Sequence, residues 1–162
     1  MKTRKLVLIA MFVAIAVAGS TFVSFPAGIA RAYPIQHAVN VISAVLLGPG
    51  PALLIAFLTG AVRVFIGTGS LLAFPGGMIG ALLAGIMYAK YGKVWLAAIG
   101  EVAGTGILAS LVAVPYAKVL MGTELGAFFF FPPFLISSAS GAVLGVILVS
   151  RLTRNSEKRL FN

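Results

Sequence analysis

The sequence predicts an all-α membrane protein of six transmembrane helices, on three observations. Of its 162 residues 60% are hydrophobic and only 9% charged, where a soluble domain carries about 25% charged residues. The apolar residues gather into runs approaching or reaching the length that crosses a hydrocarbon core. Between the runs stand Gly/Pro clusters and basic residues, the marks of turns and of cytoplasmic loops. There is too little polar side chain to cover a globule in water. The chain therefore reads as one integral, multi-pass membrane domain over residues 1–162.

The elements follow in order. The apolar run that starts at Leu6 is too long for the core of a signal peptide and is read as a retained helix, 6–23. A Pro/Gly-bearing connection over 24–34 leads to a short second helix, 35–47, which opens on polar residues. Gly48-Pro49-Gly50-Pro51 is a turn, and the third helix runs over 52–66. After the turn Gly67-Thr68-Gly69-Ser70 the fourth spans 71–88, and Lys90-Tyr91-Gly92-Lys93 ends it. The fifth covers 94–116. A mixed connection closing on Pro132-Pro133 precedes the sixth, 134–152, and a charged tail. The second and third helices are short for a full span, which is tolerated where backbone lines a cavity.

Charge sets the expected orientation. With both termini inside, Lys2, Arg4, Lys5, Lys90, Lys93, Arg151, Arg154, Lys158 and Arg159 fall on the cytoplasmic side, and only Arg31, Arg63 and Lys118 on or near the outside. That bias predicts N-in, C-in. It also accounts for the net charge of +9 without nucleic acid, since no basic patch is interleaved with aromatics. The Gly/Pro-rich outer segments, before helix two, after helix three and before helix six, predict a cavity that opens outward beneath them.

The absences exclude several chemistries. There is no cysteine, and one His with three acidic residues leaves almost nothing for a metal centre. No phosphate loop is present, so ATP hydrolysis by that route falls to another subunit. No nucleophile–base–orienter set appears, and no enzyme is expected.

The candidate site rests on polar residues inside apolar runs, each of which needs a partner or a cavity. Gln36, His37 and Asn40 lie on neighbouring positions of helix two and offer both donors and acceptors. They suit a small heterocycle, or else link helices. Glu101 is the acid inside an apolar run, and such a charge costs roughly 3 kcal/mol on insertion scales. It meets the ligand, supports the site from behind, or pairs with Arg63. Arg63 itself binds a substrate oxygen, pairs with Glu101 or snorkels to the interface. Tyr116 stacks on a ring or belongs to the interfacial aromatic belt. Ser137, Ser138 and Ser140 read as helix-packing hydroxyls, and 128–131 as interfacial. Ala10, Ala14 and Ala18 put three small side chains on one face of helix one, for a partner or for a helix of this chain. Gly76/Gly80, Gly100/Gly104 and Gly141/Gly145 are assigned to internal packing.

The whole pattern resembles the S components of energy-coupling factor (ECF) transporters, six-helix proteins that bind a vitamin or precursor. Three stretches bring the resemblance closer, to the ThiW family: Pro34-Ile35-Gln36-His37-Ala38-Val39-Asn40-Val41, Gly67-Thr68-Gly69-Ser70-Leu71-Leu72-Ala73-Phe74-Pro75-Gly76 and Gly100-Glu101-Val102-Ala103-Gly104-Thr105-Gly106. The resemblance implies capture of hydroxyethylthiazole, the thiazole precursor of thiamine, for an importer whose T subunit and two ATPase subunits supply the energy. It implies no cofactor on this chain. It also implies that Ala10, Ala14 and Ala18 dock on the T subunit, that Gln36, His37, Asn40, Arg63, Glu101 and Tyr116 hold the substrate, and that loops bearing Arg31, Tyr33 and Thr68 close over it. Phosphorylated thiazole would suit the arginines better than a neutral ligand. The rivals are an S component for another vitamin or precursor, an intramembrane enzyme using Glu101 and His37, and a structural subunit with no ligand.

Overall fold

The computed structural model describes residues 3–28, 30–122 and 126–160; among these, the side chains of 127 and 154–160 are left aside. Lys2 and the side chains of Arg154, Lys158 and Arg159 thus lie outside the described part. Six helical rods follow one another. α1 is Thr3–Phe22, α2 Pro34–Leu47, α3 Pro49–Phe65 and α4 Ala73–Tyr91. The fifth rod, Val94–Met121, is continuous through α5 (Val94–Val102), a π-helical segment (Ala103–Ala109) and α6 (Ser110–Met121). α7, Ala127–Leu160, is the sixth.

Four rods are long and apolar enough to cross a membrane, and α2 and α3 are shorter. At 1.5 Å per residue, the 14 residues of α2 reach roughly 21 Å of a hydrocarbon core about 30 Å thick. What lies above its first turn explains the shortfall. Phe25–Ala27 (β1) and Ala30–Ala32 (β2) pair antiparallel, Phe25 opposite Ala32 and Pro26 opposite Arg31. This small hairpin corrects the purely helical expectation, and it packs against α7.

Two boundaries move because proline was read as a stop. Gly48 alone joins α2 to α3: with φ at +89° it caps one helix, and Pro49 opens the next. Pro49 and Pro51 fall in the first turn, where no N–H partner exists to lose. Pro132 and Pro133 likewise lie inside α7. The carbonyls of Phe128 and Phe129 that they leave without i+4 donors belong to an exposed first turn.

α2 is the axis of the bundle. Every residue from Gln36 to Ala44 is buried, and the helix touches α1, α3, α4, α5 and α7. Small side chains make this possible, as packing rather than hydrophobicity drives association in lipid. The central core is Val41 with Ala44, Ala52, Ala56, Ala81, Ala84, Ala97 and Ala142. Glycines bring the backbones closer still. A Cβ on Gly141 would lie 2.5 Å from His37 Cβ and against the Pro34 carbonyl, and one on Gly145 would lie 2.9 Å from Val41 Cβ. Gly80, Gly100 and Gly104 do the same where α4 meets the fifth rod. Gly76 differs from this pattern and faces a cavity.

α1 sits at the edge against α2 and α3. Ile9, Ala16 and Ser20 turn inward, while Ala10, Ala14 and Ala18 are exposed. Among the described residues, the alanine face therefore stays uncovered.

A testable contrast follows from the glycine contacts. Gly141→Ala should lower the thermal midpoint of the detergent-purified protein, at a cost of about 1–3 kcal/mol for overpacking. Gly50→Ala, where a Cβ meets nothing within 4 Å, should leave it unchanged or slightly raised.

Candidate functional site

A cavity of about 430 Å³ lies above the first turn of α2. Its roof is the hairpin and the 67–70 turn, through Arg31, Tyr33, Gly67, Thr68 and Ser70. Its walls are Leu72, Ala73, Gly76 and Gly77 of α4 and Pro133, Phe134 and Ser137 of α7. Gln36, His37, Arg63 and Thr105 complete the lining. Two of the three outer segments expected to cover a cavity, those before helix two and after helix three, thus roof it, and Pro133 is what the third contributes to the lining.

Beneath His37 is a buried acid. Glu101 is 0% exposed and does not line the cavity. Its Oε1 lies 2.6 Å from His37 Nδ1, 3.1 Å from Asn40 Nδ2 and 3.1 Å from Thr105 Oγ1. Asn40 Nδ2 also donates to the Gly77 carbonyl at 3.2 Å, and Thr105 Oγ1 to the Gly76 carbonyl at 2.8 Å. Room for this cluster comes from Gly80, where a Cβ would sit 2.7 Å and 2.8 Å from the two carboxylate oxygens. With Nδ1 committed to Glu101, His37 turns its Nε2 edge to the cavity.

Arg63 organises the other side. It is 2% exposed, so it does not snorkel, and it is not paired with Glu101: His37–Glu101 is the ion pair found among the described residues. Its Nη1 donates to Gln36 Oε1, its Nη2 donates to the Thr68 carbonyl at 3.0 Å, and its Cζ stacks 3.8 Å over the Tyr33 ring. Nε is buried without a partner. One guanidinium thus joins α2, the strand–helix junction and the 67–70 turn. Because arginine only donates, it also fixes the Gln36 amide, oxygen towards Arg63 and nitrogen beside Gly77.

The predicted residues divide accordingly. Gln36, His37 and Arg63 line the cavity, as do Arg31, Tyr33 and Thr68 of its roof. Arg31 is exposed and held by Ser24, Nε to Oγ at 3.0 Å and Nη2 to the carbonyl at 3.2 Å. Asn40 and Glu101 lie one layer below, Glu101 against His37 and Asn40 against Glu101. Tyr116 is outside the lining, since α6 presents Ala113 and Ala117 inward and Tyr116 lies about 100° round the helix from Ala117. Ser137 corrects the packing assignment, as its Oγ accepts the Tyr33 N–H at 2.7 Å. Ser138 and Ser140 bond back to their own helix.

Sequence reasoning missed Thr105, Phe134 and the Gly76–Gly77 backbone. Thr105 carried a usable signal, four residues after Glu101 on a helix. Phe134 and the glycines carried none, because what they line depends on where α4 and α7 cross α2.

Comparison with known proteins places the chain in a family and a fold. The sequence profile described as thiamine-precursor transporter protein (ThiW) matches residues 6–155. The chain belongs to the ThiW family. A solved structure titled as the S component of a bacterial ECF transporter superposes with a TM-score of 0.79 at 17% identity, over 95% of this chain and 98% of that chain. A search of curated proteins gives no match. Family and fold together make this ThiW-family chain an integral, multi-pass membrane protein that binds a thiamine precursor for transport, and not an enzyme.

The Arg63 contacts predict a local effect. Arg63→Met should speed amide hydrogen exchange in the hairpin and the 67–70 turn by roughly 10-fold or more, the loss of about 1.5–3 kcal/mol for hydrogen bonds to a charged group. Exchange in α4 and α5 should be unchanged.

Proposed function

We propose that the chain is the substrate-capture subunit of an ECF-type importer and that its ligand is hydroxyethylthiazole. The observation that carries this is the small roofed cavity with oriented polar groups on its floor. Its volume of about 430 Å³ is at the low end for ligand pockets, which run from about 300 to 1,000 Å³. It suits a single substituted ring better than a two-ring vitamin. Phe134 and Leu72 offer apolar wall, while Gln36, His37 and Arg63 offer hydrogen bonds. Family membership supports a thiamine precursor as the ligand class.

The chain has no phosphate loop, so partner ATPase subunits would supply the energy and a T subunit the coupling. With both termini cytoplasmic, the cavity end faces outward. The exposed Ala10, Ala14 and Ala18 form a flat stripe along a helix at the bundle edge, where a partner helix can approach closely. One observation favours a second ligand: among the described residues, Arg31 and Arg63 line the cavity and no carboxylate does, which suits a phosphorylated thiazole.

Isothermal titration of the purified protein with hydroxyethylthiazole, its phosphate and thiamine tests the ligand. Saturable binding of the thiazole should weaken by about 10-fold or more, the worth of an unsatisfied buried group, in Glu101→Ala and His37→Ala proteins that remain folded. No heat with any of the three would overturn the thiazole assignment. For the partner, Ala14→Leu should abolish co-purification with the T subunit while leaving ligand binding intact; retained co-purification would remove the alanine face from that role.

A further inference from the structure

We propose that the Glu101–His37 pair carries one shared proton and no net charge, so that His37 Nε2 offers an N–H to the cavity. The site then selects a neutral ring nitrogen with a free lone pair and rejects N-alkylated thiazolium cations, the ring of thiamine included. The ligand half of this proposal rests on the thiazole reading above; the proton half does not.

The argument starts from burial. Glu101 is sealed from solvent, and its Oε2 has no hydrogen-bond partner. All its contacts fall on Oε1, the shortest being the 2.6 Å approach of His37 Nδ1. Four proton arrangements can be written. A carboxylic acid protonated at Oε2 against an imidazole protonated at Nδ1 is neutral, but it buries an O–H that has no acceptor, since Oε2 has no partner. An ionised Glu101 facing a neutral imidazole protonated at Nδ1 would leave a bare negative charge in the apolar interior. Among the described residues no cation other than His37 is within ion-pair distance of it, and such a charge is strongly disfavoured. The two remaining arrangements are an imidazolium against a carboxylate, and a neutral imidazole accepting at Nδ1 from a carboxylic acid. Both are neutral overall, and in both Nε2 carries a hydrogen.

The cavity then presents mainly donors from its side chains. His37 offers Nε2–H, and Gln36 offers its amino group because Arg63 holds its oxygen. Arg31 and Arg63 can only donate, and among the described residues no carboxylate lines the space. A thiazole nitrogen, with its lone pair in the ring plane, is an acceptor that meets these donors. Alkylating that nitrogen removes the lone pair and adds a positive charge facing two guanidinium groups. Glu101 is thus a positioning residue: it sets the proton on His37 from beneath without touching ligand.

The chain contains one His, so the proton can be read directly. Full-length protein labelled with ¹⁵N-histidine and purified through a histidine-free tag gives the two nitrogens of a single ring. Nε2 should show the signature of a protonated nitrogen; a pyridine-type Nε2 would overturn the proposal whatever binds. In Glu101→Gln, the amide oxygen meets the Asn40 donor and accepts from Nδ1–H, so Nε2 should lose its proton. An Nε2 that stays protonated there would overturn the role given to Glu101. Titration with hydroxyethylthiazole and with its N-methylthiazolium supplies the second arm. The cation should bind about 100-fold more weakly or worse, since the buried donors are left unpaired. Equal affinities would overturn the selection and leave the transport reading standing. Failure of both to bind would overturn that reading, and the ligand half with it, while the nitrogen signal still decides the proton.

Discussion

Glu101 has to be buried with its partners already in place, because a carboxylate in an apolar interior finds no water to replace a missing donor. That requirement reaches across the molecule. His37 and Asn40 come from α2, the Gly76 and Gly77 carbonyls from α4, and Thr105 from the π-helical segment. Gly80 has no side chain where the carboxylate sits. The π-helical turn begins two residues after Glu101, and such turns often mark functional positions in helices. Three rods are thereby fixed at one height, and the cavity floor is set by that height.

Arg63 poses the complementary problem, a buried cation with no acid beside it among the described residues. The structure meets it with neutral groups: an amide oxygen, a backbone carbonyl and an aromatic face. These dipoles come from α2, the 67–70 turn and Tyr33, so solvating one charge gathers the roof of the cavity. Floor and roof are therefore built on two separate buried ionisable groups, and Gln36 and His37, adjacent in sequence, answer one to each.

Much of the fold was legible because lipid is an undemanding solvent for pattern reading. Apolar runs broken by Gly/Pro turns located all six rods, and the turns at Gly48 and Gly92 fall where expected. Proline misled at 49–51 and 132–133, since its chemistry forbids only an N–H bond, which a first turn does not use and an exposed turn can forgo. The hairpin at 25–32 was illegible: six paired residues containing a proline and three alanines carry no strand pattern, and their pairing depends on the bundle end that seats them.

At the site, the sequence by itself determined which residues had to be special. A Glu, a His, two amides and an Arg inside apolar runs each require a partner, and composition alone says so. Tertiary structure decided which partner each received. Glu101 went to His37 and not to Arg63, and Asn40 went beneath the cavity while Gln36 lined it. It also turned Tyr116 out of the lining and brought Thr105 and Phe134 into it. The physical reason is that each charge demands satisfaction from whatever lies within about 3 Å, and that neighbourhood is set by how glycine- and alanine-lined helices cross, which no single helix encodes.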